Sequence, residues 1–207
     1  DFIRYLGLGS VAVTIPEAMH AVPAAATTLC SDKKTKPISG SWFEFQHSAA
    51  EGGYWNEALA HFTADQWRRK VFEIREVGME YLVLMGVARA GKPFYPSKIA
   101  PRIPMGCDDP LEAVLSAADE CGIKFFVSND FWGDLDAYNM MLDKGVQTVR
   151  FQAMEEIAER YSHHACFYGW YFPNESWLDP YFCDFVIPYV NECAQVAKSL
   201  NANCVNI

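Results

Sequence analysis

In the run FYGWYFPNESW, Phe167 to Trp177, an amide and a carboxylate, Asn174 and Glu175, come directly after an apolar, aromatic segment. A carboxyl group set among Trp170, Tyr171 and Trp177 is poorly solvated, and desolvation raises the pKa of an acid. An acid that keeps its proton near neutral pH can protonate a leaving oxygen, which is half of the chemistry of glycosidic-bond cleavage; the other half is a second carboxylate that attacks or activates water. Asn174 beside it can hydrogen-bond a hydroxyl, and flat rings offer stacking faces to a sugar. The competing reading of Glu175 is a first-turn acid of the next helix, held there by the helix dipole.

Other polar residues stand where other apolar runs stop: Glu44 and Gln46, Arg89, and Asn129 with Asp130. Asn129 and Asp130 read as substrate contacts or as turn and capping residues. Glu44, in WFEFQH, reads as pointing into a cleft or as alternating outward. Trp132, Trp55 and Trp177 are candidate sugar platforms, set against the commoner outcome of a buried Trp. Tyr95 and Lys98, in FYPSK, suit a rim or lid after the second strand. His163 and His164 precede the aromatic run, at the end of the fold away from the chemistry, and read as structural. His47 and His61 share no tight metal spacing with a carboxylate, so no catalytic metal and no cofactor are expected.

These residues need elements to carry them. From Ile38 onward, short apolar runs alternate with helical stretches. ISGSWFEF, YLVLMGVA, IKFFVSNDFW, CFYGWYF and NCVNI read as strands, the second as one buried on both faces. Between them, TADQWRRKVFEIREVG has Thr63 as a cap, Trp67, Val71 and Ile74 on one face, and Gly78 at its stop. DDPLEAVLSAADECG has Asp109 or Asp108 as a cap, Pro110 in the first turn and Gly122 at its end. TVRFQAMEEIAERYS and a stretch from about Tyr181 to Leu200 complete the helices. Such alternation predicts a parallel α/β sheet. No Gly-rich phosphate fingerprint follows the first strand, which disfavours a nucleotide-binding doubly wound fold. Polar residues at the ends of several strands favour a (β/α)8 barrel, truncated to about its first five β/α units.

Composition agrees with a folded domain that has a sizeable core. Of 207 residues, 51% are hydrophobic and 14% aromatic, leaving rings for a stacking surface as well as a core. The net charge of -9, without a Lys/Arg stripe, argues against nucleic acid as a partner. The seven cysteines form no CxxC pair, so a zinc ribbon is not expected, and nothing in their spacing selects a disulfide. No stretch is long and apolar enough to span a bilayer.

Residues 1–30 read as a signal-like segment. Arg4 precedes an apolar run and then the small-residue stretch AVPAAA. DFIRYLGLG resembles the part of a twin-arginine signal that follows its arginines. The alternative is an ordinary N-terminal helix or arm, which Pro16 and Glu17 favour. SDKKTKP, residues 31–37, reads as a linker, and 38–207 as the barrel. The expected location is secreted or periplasmic.

The dipeptide Asn174–Glu175 after a fourth strand resembles the acid/base signature of a large clan of retaining barrel glycosidases. FYPSK, DPLEAVLSAADECGIKFFV and ERYSHHACFYGWYFPNE together resemble the domain of unknown function 4434 family over roughly 38–207. That resemblance implies a carbohydrate-active barrel with Glu175 as acid/base. Glu44, Asn129, Asp130, Trp132, Trp170, Tyr171, Asn174, Trp177 and Tyr95 are then the candidate sugar contacts. In the clan the nucleophile follows the seventh strand, which this sequence does not reach. A non-catalytic carbohydrate-binding barrel and an inactive fragment therefore stay open as alternatives.

Overall fold

The computed structural model describes residues 36–46, 57–130, 132–133, 137–173 and 184–207. The chain divides into units of residues 1–37 and 38–207, and the fold below is that of the second.

Five parallel strands form its sheet: β1 (Gly40–Phe43), β2 (Tyr81–Leu84), β5 (Lys124–Ser128), β6 (Phe167–Tyr171) and β7 (Val205–Asn206). A small antiparallel pair, β3 (Ala88–Arg89) and β4 (Lys92–Pro93), interrupts the series after β2. The order across the sheet, β1-β2-β5-β6-β7, follows the chain without reversal. A doubly wound sheet requires a reversal of strand order. Winding in one direction with right-handed crossovers instead places every connecting helix on one face, as in a (β/α)8 barrel. The described residues supply five of the eight strands of such a barrel.

Helices α1 (Glu57–Ala60), α2 (Ala64–Glu76), α3 (Pro110–Cys121), α4 (Ala137–Leu142), α5 (Lys144–Tyr161) and α6 (Val186–Leu200) make the connections. Their ends are set by local chemistry. Thr63 and Gln66 form a reciprocal capping box: the Gln66 amide donates to Thr63 Oγ1 at 3.3 Å and the Thr63 amide to Gln66 Oε1 at 2.9 Å. Asp109, not Asp108, caps α3, accepting from the Glu112 amide at 3.0 Å, with Pro110 next. Gly122 then turns the chain out at a φ of 72°, a left-handed conformation that costs glycine little.

One face of the sheet packs against the helices. Leu82, Leu84, Phe125, Val127 and Trp170 are fully buried there, and Phe43 meets Trp67 of α2 ring to ring at 5.9 Å. The opposite face carries the row Trp42, Val83, Phe126, Gly169 and Val205, one residue from each strand. Trp42 is 57% exposed and Val205 39%. Strand β2 is accordingly buried on one side and half-buried on the other, not buried on both. Residues Gly86 and Val87 leave the strand, and the chain reaches the β3–β4 turn, where Ala90 and Gly91 take positive φ.

Candidate active site

The strands run parallel, so their C-terminal ends share one edge. Backbone hydrogen bonds join that edge: Met85 N–H to Phe43 O at 2.9 Å, Val87 to Asp130 O at 2.9 Å, Asn129 to Tyr171 O at 3.1 Å, and Phe172 to Ile207 O at 3.0 Å. Glu44, Phe45 and Gln46 follow β1, Arg89 lies beyond β2, Asn129 and Asp130 follow β5, and Phe172 and Pro173 follow β6. Asn174, Glu175 and Trp177, like Trp55, lie outside the described residues; the chain enters that stretch from this edge.

Tyr171 and Trp42 meet on the non-helical face, with ring centroids 5.0 Å apart and planes at 57°. Half-buried Tyr171 and exposed Trp42 give this face an open aromatic surface beside the strand ends. Glu44, also half-buried, follows Trp42 by two residues. Gln46 is 7% exposed, and neither its amide nitrogen nor its amide oxygen has a partner. Two unsatisfied polar atoms in a buried side chain carry a desolvation cost that a ligand or water would relieve.

The other candidates face elsewhere. Asn129 is fully buried between helices, its amide nitrogen 3.4 Å from Cys193 Sγ of α6 and 3.7 Å from Met154 Sδ of α5. Asp130 pairs with Arg150 of α5 at 2.8 Å, with both side chains almost wholly buried. Burial pushes the Asp130 carboxyl above its usual range, against the pull of the Arg150 charge. Trp132 is buried and meets Tyr95 edge-on at 6.4 Å. Trp170, 1% exposed, points at the helices, as its pairing opposite Val127 requires. Adjacent strand residues point to opposite faces, so Trp170 and Tyr171 cannot both line one cleft.

Tyr95 is fully buried, which leaves no ring face for a rim. Its hydroxyl donates to Glu156 Oε2 of α5 at 3.1 Å, and burial next to that carboxylate pushes the phenol pKa up. Ser97 Oγ donates to the same oxygen at 2.6 Å and the Lys98 amide to Glu156 Oε1 at 2.7 Å. Glu156 therefore fastens the FYPSK segment onto α5.

Arg150, Glu156 and Trp42 are site-supporting residues that strand-end reasoning passes over. A signal exists for Arg150: it sits four residues from both Val146 and Met154, on the apolar stripe of its helix. His163 and His164 lie at the opposite edge of the sheet, just before β6. Five cysteines among the described residues, at 107, 121, 166, 193 and 204, are free thiols. No helix among the described residues is long and apolar enough to cross a membrane.

The family model for Domain of unknown function (DUF4434) matches residues 38–207. No curated protein sequence matches the chain. Among solved structures, a candidate alpha-L-fucosidase from Bacteroides thetaiotaomicron is similar at 13% identity and a TM-score of 0.63, over 92% of this chain and 56% of its own. An endo-beta-1,4-mannanase from Thermotoga petrophila matches at 14% identity and a TM-score of 0.54, over 81% and 41%. An endo-1,4-beta-mannanase from Rhizomucor miehei matches at 10% identity and 0.53, over 73% and 53%. The chain thus spans about half the length of the structures it resembles, and at these identities the likeness is one of fold.

Proposed function

Because the chain belongs to the DUF4434 family, with the strand order of a barrel, we propose that it is part of a carbohydrate-active enzyme, a retaining glycoside hydrolase whose acid/base is Glu175. The observation that carries this reading is the Trp42–Tyr171 pair. Rings on the open face at the strand ends suit the apolar faces of a pyranose, and Glu175 follows Tyr171 by four residues. The solved structures of like fold include mannanases, which act on glycans.

In this reading Glu175 protonates the leaving oxygen and then, as its conjugate base, activates water, while Asn174 binds a sugar hydroxyl. The second carboxylate, ~5 Å from the acid in a retaining enzyme, comes from beyond the fifth strand of the barrel. In this reading Asn129, Asp130, Trp132, Trp170 and Tyr95, all buried, support the strand ends from behind.

The test uses the full-length parent polypeptide on aryl glycosides and polysaccharides. Glu175→Gln is expected to lower turnover on the order of 10²- to 10⁴-fold with binding retained, and Trp42→Ala to weaken glycan binding. A parent whose turnover survives Glu175→Gln sinks the acid/base assignment. Glycan binding without turnover in the unmodified protein would make it a binding barrel instead.

A further inference from the structure

At the edge of the sheet opposite the candidate active site, the turn between α5 and β6 sets two imidazoles against α3. His164 is 6% exposed. Its Nδ1 lies 2.7 Å from Asp119 Oδ2 and its Nε2 3.1 Å from Glu112 Oε2. Asp119 is held in place, because Oδ1 accepts the Cys166 amide at 2.6 Å. Glu112 is braced by Ser116 Oγ, which donates to Oε1 at 2.9 Å. His163 stacks on His164 with ring centroids 4.1 Å apart, and donor atoms of Glu112, His163 and His164 lie within 4.8 Å of one another.

With Nδ1 directed at the fixed Asp119 oxygen, His164 presents Nε2 to Glu112 Oε2, and the 3.1 Å between those two atoms is an edge that two ligands of one metal ion can span. His163 brings a third donor atom within 4.8 Å of both.

We infer that Glu112, His163 and His164 form a zinc site at the base of the sheet, with Asp119 as the carboxylate that orients His164. Ligand bonds of about 2.0–2.1 Å subtend the 3.1 Å His164–Glu112 edge at roughly 98°, near tetrahedral. A carboxylate on the remote nitrogen of a ligating histidine is the usual support of such sites. Two imidazoles and one carboxylate suit zinc better than calcium or magnesium, which prefer all-oxygen ligand sets. Cys166 stays outside the ligand set: its buried thiol points away and donates to Leu115 O at 3.2 Å. His163 is exposed, so its ring can swing in and water can take the fourth position. The position, remote from the strand C-termini, makes the role structural: the ion joins α3 to the turn that launches β6.

The test is calorimetric titration of the whole chain, stripped with a chelator, with zinc sulfate at pH 7.5, using Co2+ as a spectroscopic probe of tetrahedral coordination. One equivalent is expected. His163→Ala should bind at least ~100-fold more weakly and Asp119→Asn roughly 10- to 100-fold more weakly, while His61→Ala binds as the unmodified protein does. Zinc should raise the thermal midpoint of the unmodified protein and not that of His163→Ala, whose metal-free midpoint is unchanged because the side chain is exposed. Absence of binding, or binding that His163→Ala and Glu112→Gln both leave intact, overturns the site.

Discussion

Replacing Asp130 by Asn removes one charge from the most deeply buried ion pair among the described residues. Arg150 is 0% and Asp130 2% exposed, with Nη2 and Oδ2 2.8 Å apart. The same Nη2 donates to Met140 O at 3.0 Å and the guanidinium lies 5.0 Å from the Tyr189 ring, but Nε and Nη1 have no partner. The guanidinium cannot shed its proton, so Asp130→Asn leaves a full charge in a dry site. The expected loss is about 3–5 kcal/mol, the cost of breaking a buried pair from one side. Arg150→Met behaves differently. The orphaned carboxyl, already pushed upward by burial, takes a proton and becomes neutral. A folded-state pKa above the unfolded one gives stability that is present below the unfolded value, about 3.9, and is lost as pH rises. Arg150→Met should therefore lose about 1.4 kcal/mol per pH unit between pH 4 and the raised pKa, beyond any slope of the unmodified protein. The double variant Asp130→Asn/Arg150→Met carries no buried charge and should be more stable than Asp130→Asn alone. Urea unfolding of all four proteins at pH 5 and pH 7, with unchanged m-values, measures these differences. A loss under about 1 kcal/mol in Asp130→Asn, or additive single and double losses, would mean that the pair is solvated in solution and that the reasoning fails.

Other perturbations follow from the same physics. Gly169→Ala places a methyl within 2.6 Å of the Val205 carbonyl carbon, overlapping its oxygen; the β6–β7 pairing should break at a cost of about 3 kcal/mol or more, read as rapid hydrogen exchange at Phe172 and Ile207. Glu156→Gln removes the charge that accepts from Tyr95, Ser97 and the Lys98 amide; a loss of about 1.5–3 kcal/mol is expected, with faster exchange confined to residues 94–99 if the segment is held as described. The Asp119 carboxyl is held below its ordinary 3.8: burial opposes the shift, and the hydrogen bonds from His164 and from the Cys166 amide outweigh it. A depressed carboxyl pKa gives stability that is full above that ordinary value and is lost as pH falls through the folded one. Acid titration of the unfolding free energy should therefore steepen below about pH 4 in the unmodified protein and less so in Asp119→Asn.

The sequence by itself determined the alternation of strand and helix, the parallel sheet and the local stops. Thr63, Asp109 and Gly122 were legible because each acts on atoms within four residues, and a cap needs nothing from the rest of the chain. The clustering of polar residues at one edge followed too, since parallel strands order their ends alike. Which way each side chain points at that edge was decided only by the tertiary structure. Asn129 and Asp130 look like cleft residues in the chain, but α5 and α6 present Cys193 and Arg150 from 64 and 20 residues away and draw both side chains to the helical side. Tyr95 reads as a rim residue until Glu156, 61 residues on, takes its hydroxyl. Trp42 gains its place from Tyr171, a partner that no local pattern names. The irregular register between β5 and β6, which begins between Phe125 and Phe126, has the same character. Caps and periodicity depend on free energies set within one turn, whereas the facing of a side chain depends on which distant surface removes it from water, and only the assembled sheet and helices supply that surface.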